Sequence, residues 1–260
     1  MRLLTYMSPG FPASLFKLLG TILDADVEFD MTLSGPAPGD DPFADGTADL
    51  GWICSTSYVD LATRSNNPSI ELAGVAWVPD DPDVQGRPVY FGDLVTRADS
   101  GITTFEDLAG RRVGCNDPVS LSGYHSMRFA MRDRGLDEET FTELVFTGGH
   151  HSSLDRVVSG ELDAAVIDSV VRTGRARIEP AVSDLRIIER LGPWPVQPLV
   201  ARSGLSAAQI DDVRRLLLEA GEREDVKAEL EAASLSRLVE VGPDHYAAIR
   251  EAMGGTTPAS

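Results

Sequence analysis

Hydrophobic and polar positions along the first hundred residues predict several strands with few helices between them. The segment 12–23 repeats leucine and isoleucine at helical spacing and predicts a helix. Loops rich in Ser, Gly, Pro and Asp separate the apolar segments. Apolar runs or two-residue alternation predict strands over 2–7, 27–33, 49–54, 70–78 and 89–96.

From residue 104 onward, predicted strands and helices alternate. Thr104 with Asp107, and later Ser206 with Gln209, have the spacing of helix N-terminal caps. This alternation is typical of an α/β fold with a mostly parallel sheet and helices on both faces. The pattern predicts strands over 112–115, 143–147 and 164–171, helices over 104–110, 123–134 and 153–159, and a helical C-terminal third over 206–233 and 243–253.

Acidic residues outnumber basic ones by 41 to 23, which gives a formal net charge of −18. Proteins that bind nucleic acid or anionic membranes are expected to carry a basic face, so we exclude both partners. The 42% apolar content and the length of 260 residues fit a globular chain with one large or two small domains. An anionic ligand must therefore be held by neutral hydrogen-bond donors or by a local basic pocket.

The N-terminal residues lack an apolar stretch that ends in a small-residue cleavage site, and no segment has the roughly 18 apolar residues of a membrane span. We therefore expect a cytoplasmic protein without membrane insertion; loss of an export signal from the chain would instead indicate a periplasmic or otherwise extracytoplasmic protein. Cys54 and Cys115 lie far apart and indicate no disulfide framework. No cofactor is expected.

Hydroxyl-rich segments follow several predicted strands, at the sheet edge where open α/β folds bind ligands. Serine hydroxyls and N–H groups at a helix N-terminus can hold an oxyanion without a full positive charge, which suits the segment 120–123. Either serine in it could instead be only a helix N-cap. The candidate ligand-binding residues are Tyr6, Ser8, Ser55, Thr56, Ser57, Tyr58, Ser120, Ser122, Gly123, Tyr124, His125, His150 and Asp168.

Three segments taken together resemble the phosphonate/phosphate-type substrate-binding proteins of ABC transporters. They are 117–124 (DPVSLSGY), 146–150 (FTGGH) and 160–169 (GELDAAVIDS). The segments 108–114 and 193–195 also fit, and the resemblance covers about 45–205. Each motif alone is weak, but their order and spacing are more specific.

The resemblance implies a type II periplasmic-binding-protein fold, in which two α/β lobes close over a small oxyanion-bearing ligand by hinge motion. One lobe would comprise residues 1–92 and 194–260, the other 93–193. The resemblance assigns the phosphonate or phosphate oxygens to Ser120, Ser122 and Gly123, and orientation of the ligand to His150 and Asp168. The opposite wall would come from the segment 55–58, with Tyr6 and Ser8. An exported protein would have an ABC transporter permease as partner.

Two other functions remain open, because a fold does not determine a function. Members of this fold without an export signal include enzymes, so the alternative is a cytoplasmic enzyme acting on a small carboxylate or phosphorylated metabolite. His125 or His150 would then be the acid or base and Asp168 would orient it, although His125 could equally be a packing or surface residue. The third hypothesis is a regulatory or interaction domain that binds no small molecule tightly.

Several other features have simpler explanations. His150 and His151 are adjacent, so on a strand they would face opposite ways, and no metal site is expected. The acidic segments 40–41 and 80–83 lack EF-hand spacing. Cys54 is expected to be a buried, inert thiol. The three tryptophans could line an organic ligand's pocket, but Trp52 and Trp77 fit core positions better, and Trp194, between two prolines, fits a loop near the hinge.

Overall fold

A computed structural model describes residues 1–6 and 10–254 of the chain. Ser8, one of the candidate ligand-binding residues, lies outside the described residues. The strands are β1 (Arg2–Tyr6), β2 (Asp26–Asp30), β3 (Leu50–Trp52), β4 (Ile70–Leu72), β5 (Val75–Pro79), β6 (Val89–Thr96), β7 (Arg112–Cys115), β8 (Glu143–Phe146), β9 (Ala164–Asp168), β10 (Arg186–Pro195), β11 (Leu199–Arg202) and β12 (Leu235–Glu240).

The helices follow the strands in most of the expected places. They are α1 (Ala13–Ile22), α2 (Ser55–Thr63), α3 (Ser126–Asp133), α4 (His150–Val158), α5 (Ser169–Ala176), α6 (Pro180–Ser183), α7 (Ala207–Ala220), α8 (Glu224–Ala232) and α9 (Ala247–Ala252). A π-helical turn, Leu121–His125, directly precedes α3, and short 3₁₀ turns cover Pro82–Val84, Glu106–Leu108, Glu138–Thr140 and Pro243–Tyr246.

The strands form two five-stranded sheets and a two-stranded one. The first sheet has the order β2-β1-β3-β11-β4, the second β10-β6-β9-β7-β8, and β12 pairs with β5. Within the described residues, each five-stranded sheet contains two parallel and two antiparallel pairings. The expectation of a mostly parallel sheet is therefore wrong, because β6, β10 and β11 run against their neighbours.

Each five-stranded sheet anchors one lobe of the molecule. We call lobe I the first sheet, the β5–β12 pair and the helices α1, α2, α7, α8 and α9, and lobe II the second sheet with α3 to α6. In lobe II the neighbours Leu94 and Val95 belong to different apolar clusters, as do Val166 and Ile167. Because successive side chains of a strand point to opposite faces, this sheet is buried on both sides. The expected two-lobed α/β architecture is thus present.

Several local predictions are corrected by the structure. The predicted strand 70–78 is two strands, because Gly74 between them has a φ of +82°. The C-terminal third is not all helical, since β11 and β12 both pair into sheets. Trp194 lies in β10 rather than in a loop. The predicted strand 164–171 ends at Asp168, and α4 begins at His150, so the adjacent histidines lie on a helix and not on a strand.

Candidate functional site

Side-chain and backbone contacts join the two lobes where β3 and β7 end. Ser34 donates its hydroxyl hydrogen to Oδ2 of Asp117 at 2.6 Å. Thr56 donates to the Val119 carbonyl at 2.5 Å. The N–H of Leu121 donates to Sγ of Cys54 at 3.2 Å. Burial raises the pKa of the Cys54 thiol, so this sulfur is an uncharged acceptor and fits the expected inert role.

The start of the π-helical turn is crowded around Gly123. The Ser120 hydroxyl accepts the Gly123 N–H at 3.1 Å, so this side chain caps the turn. A Cβ on Gly123 would lie 2.5 Å from Cβ of Asn116 and 2.7 Å from Cε1 of His150. Only glycine lets the turn, the end of β7 and the imidazole approach this closely. The structure thus brings together three of the predicted residues, Ser120, Gly123 and His150.

His150 is buried and neutral. Its Nδ1 accepts the main-chain N–H of Asp168 at 3.2 Å, so the ring proton is carried by Nε2. Nε2 has no hydrogen-bond partner within the described part of the chain. Burial, with a smaller contribution from His151, lowers the pKa of His150 to about 3. The imidazole therefore presents one uncharged N–H donor beside Gly123.

Asp168 lies at the end of β9 and caps α5. Its Oδ1 accepts the N–H of Val170 at 2.8 Å, and its Oδ2 accepts the side-chain amide of Gln197 at 3.3 Å. Burial raises the pKa of Asp168 to about 7, against the lowering effect of these hydrogen bonds. Asp168 contacts His150 through its backbone, so its carboxylate does not orient the imidazole as an acid–base pair would require.

The side chains of Ser122, Tyr124 and His125 each have a partner within the protein. Burial is the main cause of a raised pKa of Tyr90, whose side chain hydrogen-bonds Ser122 on the β6 side. Tyr124 donates to Glu138 at 3.1 Å. Nε2 of His125 lies 3.1 Å from the Pro118 carbonyl, and burial lowers the pKa of this imidazole to about 4. The surroundings of His125 are thus those of a largely packed side chain.

The hydroxyl cluster at the start of α2 is only partly directed at lobe II. Ser55 donates to the carbonyls of Pro195 and Val196, at 3.1 and 3.0 Å. Tyr58 packs edge-on against Tyr246, with ring centroids 4.9 Å apart. Ser57 is buried with no hydrogen-bond partner among the described residues. Within the predicted cluster at 55–58, Ser55 thus bonds to the end of β10 and Thr56 to the segment that follows β7.

A small enclosed cavity lies in lobe I at the ends of β1 and β3. Tyr6 is the one sequence-predicted residue in its wall, and we call this cavity the aromatic chamber. Ser34 and Gln197 also reach Asp117 and Asp168 of lobe II, so the chamber borders the lobe junction. The chamber is lined by Thr5, Tyr6, Phe11, Phe16, Ser34, Trp52, Ile53, Trp77 and Gln197.

Sequence reasoning missed Thr5, Ser34, Asn116, Asp117 and Gln197. Asn116 and Asp117 directly follow a predicted strand, and that position was a usable signal. Ser34 also follows a predicted strand, but the partners of Ser34 and Gln197 lie 83 and 29 residues away along the chain. Trp52 and Trp77 have both roles considered for them, since they belong to the lobe I core and also line the chamber.

A family model described as "ABC transporter, phosphonate, periplasmic substrate-binding protein" matches residues 15–246. The chain belongs to this family of substrate-binding proteins. The enzymatic alternative finds no support in these comparisons. The family is periplasmic, so the expected cytoplasmic location is likewise unsupported, whereas the extracytoplasmic alternative agrees with the family. Among the described residues, no helix is long and apolar enough to cross a membrane.

Individual relatives are distant. The phosphonates-binding periplasmic protein of Escherichia coli K12 is 22% identical over 192 residues, which are 70% of this chain and 53% of that protein. The tetrathionate sensor histidine kinase TtrS of Salmonella typhimurium is 46% identical over 55 residues, which are 21% of this chain and 9% of the kinase. The chain thus spans about half of the first relative and a small part of the second.

Solved structures share the fold at low sequence identity. A binding-protein component of an ABC phosphonate transporter from Pseudomonas aeruginosa has a TM-score of 0.80 at 19% identity, covering 97% of this chain and 85% of that one. PhnD1 of Prochlorococcus marinus, in complex with methylphosphonate, has a TM-score of 0.75 at 17% identity, covering 96% of both chains. The aliphatic sulphonate binding protein SsuA of Escherichia coli has a TM-score of 0.60 at 14% identity, covering 97% and 85%. These likenesses show a type II periplasmic-binding-protein fold.

Proposed function

We propose that this protein is the extracytoplasmic binding component of an ABC transporter and captures a small phosphonate- or phosphate-type oxyanion between its lobes. Its partner would be the transporter's permease. The observation that carries the proposal is the buried Nε2–H of His150 beside Gly123, at the start of a helix. The names of the Escherichia coli, Pseudomonas and Prochlorococcus relatives refer to phosphonates, which supports this class of ligand.

The site suits an anion although the protein is acidic. His150 supplies a donor that stays neutral, so it is available at every physiological pH. The first turn of the π-helix and α3 supplies the positive end of a helix dipole. The residues surrounding Gly123 are Asn116, Ser120 and His150, so the oxyanion would be held by neutral donors. In a protein with a net charge of −18, an anionic ligand has to be held by neutral donors or by a local basic pocket, and this site provides neutral donors.

Lobe closure over the ligand would use the contacts at the lobe junction. We place the lobes at residues 1–92 plus 194–260 and at 93–193, with boundaries inside β6 and β10, the strands that enter and leave lobe II. In the closed form, hydrogen bonds from Ser34 to Asp117 and from Thr56 to Val119 join the two lobes. A ligand that adds contacts to both lobes stabilises this closed form.

Titration calorimetry with methylphosphonate, phosphite, phosphate and sulfate tests the proposal. We expect at least one of the phosphorus oxyanions to bind, and His150→Leu to weaken that binding about 10- to 100-fold, because a donor to a charged group is lost. His150→Gln, which keeps an N–H donor, should restore part of the affinity. His151→Leu is the matched control, since this exposed neighbour lies on the same helix and should leave affinity unchanged.

Two results would overturn the proposal. The first is the absence of binding heat with every phosphorus oxyanion. The second is equal affinity of wild type and His150→Leu for the anion that does bind, since His150 would then lie outside the site.

A further inference from the structure

Three buried hydrogen-bond donors line the aromatic chamber without an acceptor. They are Oγ1 of Thr5 and the indole Nε1 atoms of Trp52 and Trp77, none of which has a partner within residues 1–6 and 10–254. Each side chain is at least 98% buried. A buried donor without an acceptor is costly and rare, and three around one cavity are a feature that requires an explanation.

The chamber walls fix the position of these donors. Trp52 and Trp77 are stacked, with ring centroids 4.9 Å apart and an interplanar angle of 14°. Phe11 and Phe16 pack against Trp77 at centroid distances of 5.0 and 6.3 Å. An indole N–H can only donate, so these two donors can be satisfied only by an acceptor atom. The chamber therefore combines an apolar wall with hydrogen-bond donors that need an acceptor atom.

A hydrogen bond between Ser34 and Asn116 links the wall of the chamber to the proposed oxyanion site. Ser34 lines the chamber, and its hydroxyl accepts a hydrogen bond from the side-chain amide of Asn116 at 3.0 Å. Asn116 is also the residue closest to Gly123 on this side, since a Cβ built on the glycine would lie 2.5 Å from Cβ of Asn116. A ligand whose oxyanion lies at Gly123 and His150 would thus have its substituent near Asn116 and Ser34, and the substituent would enter the chamber by displacing their hydrogen bond.

The carboxylates of Asp117 and Asp168, which contact the chamber residues Ser34 and Gln197, already accept hydrogen bonds from the protein. Asp117 accepts from Ser34 and Asn116 through Oδ2 and from the Val119 N–H through Oδ1. Asp168 accepts from Val170 and Gln197. No Lys or Arg is among the described residues that line the chamber. The chamber therefore lacks a carboxylate that could pair with an ammonium group of a ligand. It also lacks a cation that could pair with a second acidic group of a ligand.

The chamber is also small. Its volume of about 10 Å³ is close to the minimum that one water molecule needs. We propose that the aromatic chamber selects phosphonates whose substituent is short and uncharged and carries an oxygen acceptor, of the hydroxymethyl type, over purely alkyl or amino-bearing phosphonates. This inference rests on the proposed function, because it assumes that the oxyanion lies at Gly123.

Calorimetry with a near-isosteric pair of ligands tests the inference. Hydroxymethylphosphonate and ethylphosphonate differ by an oxygen in place of a methyl group, and aminomethylphosphonate replaces that oxygen with an ammonium group. We expect the full chain to bind the hydroxymethyl compound about tenfold more tightly than the ethyl compound, the ratio that one well-made hydrogen bond supplies. Aminomethylphosphonate should bind more weakly than hydroxymethylphosphonate.

Two variants locate the preference in the chamber. Thr5→Val removes a donor with little change in shape, whereas Trp77→Phe removes one and also leaves a smaller ring, and each should lower the hydroxymethyl-to-ethyl affinity ratio toward one. Trp194→Phe is the matched control, because this indole also lacks a described partner but does not line the chamber, so the ratio should be unchanged.

The outcomes separate this inference from the proposed function. Binding of methylphosphonate with equal affinities for the hydroxymethyl and ethyl compounds would overturn the inference and leave the proposed function standing. So would tightest binding of aminomethylphosphonate, or a ratio that both Thr5→Val and Trp77→Phe leave intact. Failure of every phosphonate and of phosphate to bind would overturn the proposed function, and this inference with it.

Discussion

The main-chain N–H of Asp168 donates to Nδ1 of His150 at 3.2 Å, which joins the last residue of β9 to the first residue of α4. This contact fixes the tautomer of the imidazole, because a nitrogen that accepts a hydrogen bond cannot carry the ring proton. The remaining proton is therefore on Nε2, beside Gly123. A single backbone hydrogen bond thus determines that the proposed anion site has a neutral donor.

The pKa of His150 predicts how ligand affinity depends on pH. Because burial lowers this pKa to about 3, the imidazole stays neutral throughout the range from pH 5 to 8. We expect methylphosphonate affinity to show no imidazole titration in that range once the ionisation of the ligand is taken into account. Calorimetry at four pH values, with NMR of the His150 ring nitrogens, checks this. A ring that gains a proton near pH 6.5 in the free protein would contradict it.

The pKa of Asp168 predicts a stability change of definite sign. Its folded-state pKa, about 7, lies above the ordinary value of 3.8 for an aspartate, so the folded state binds more protons than the unfolded state between these values. This contribution to stability is present below about pH 4 and is lost as the pH rises through 7. Asp168→Asn keeps a capping side chain and should raise the melting temperature relative to wild type at pH 8 but not at pH 4.

Chemical or thermal unfolding at the two pH values measures this difference. Asp184→Asn, at an exposed position, is the control and should change stability equally little at both. A greater loss of stability for Asp168→Asn at pH 8 than at pH 4 would contradict the prediction.

Gly123→Ala should damage both packing and ligand binding. The added methyl group would lie 2.5 Å from Asn116 Cβ and 2.7 Å from His150 Cε1, so the turn or the imidazole must shift. Overpacking of this kind typically costs about 1–3 kcal/mol. Gly242→Ala is the control, since a Cβ there meets no described atom within 4 Å beyond its chain neighbours. Equal melting temperatures and equal methylphosphonate affinities for the two variants would disprove the close approach.

Thr56→Val should weaken lobe closure, although the same hydroxyl also contacts Sγ of Cys54 in lobe I at 3.1 Å. The substitution removes the hydroxyl that bonds to the Val119 carbonyl in lobe II and keeps the shape of the side chain. We expect methylphosphonate affinity to fall about 3- to 10-fold, because the closed form loses one hydrogen bond. Thr63→Val, on the same helix, removes a bond to Val59 within lobe I and should leave affinity unchanged.

Small-angle scattering of ligand-saturated Thr56→Val and Thr63→Val would show whether closure itself is affected. Indistinguishable affinities for the two variants would exclude Thr56 from the closure contacts.

Asp93 is predicted to be a structural residue of the strands that cross between the lobes. Its carboxylate is fully buried and pairs with Arg172 at 2.5 Å and with Arg190 at 2.8 Å. Asp93→Asn would leave two partly buried guanidinium groups without this counter-charge and should lower the free energy of unfolding by about 3–5 kcal/mol. Asp212→Asn, which breaks an exposed pair with Arg215, should change it by less than about 1 kcal/mol. Equal changes in urea unfolding would contradict the assignment.

The sequence predicted those site residues whose positions depend on contacts within a single turn or helix start. Ser120 and Gly123 lie within one helical turn directly after a strand, so their cap could be inferred from spacing alone. Asp168 likewise follows a strand and caps the next helix. By contrast, Ser122 hydrogen-bonds Tyr90 of β6, a contact between distant segments that no local pattern indicates.

The lobe junction and the chamber could not be predicted, because they depend on contacts between distant segments. Thr5, Trp52 and Trp77 come from three different strands, and only the packing of lobe I brings their donors to one cavity. The strands β10 and β12 were missed for a related reason. Charged residues interrupt the apolar positions of both strands, and β10 also contains Gly192 and Pro193. The alternation of apolar and polar residues is therefore weak, and pairing with a neighbouring strand decides the conformation.

The central claim is that a neutral His150 and the helix start at Gly123 hold the oxyanion. A crystal structure of the full chain with methylphosphonate tests it most directly. The account predicts a phosphonate oxygen within hydrogen-bond distance, about 3 Å, of His150 Nε2, with the methyl group directed toward the aromatic chamber. A phosphonate bound elsewhere, with His150 Nε2 still unpaired, would contradict it.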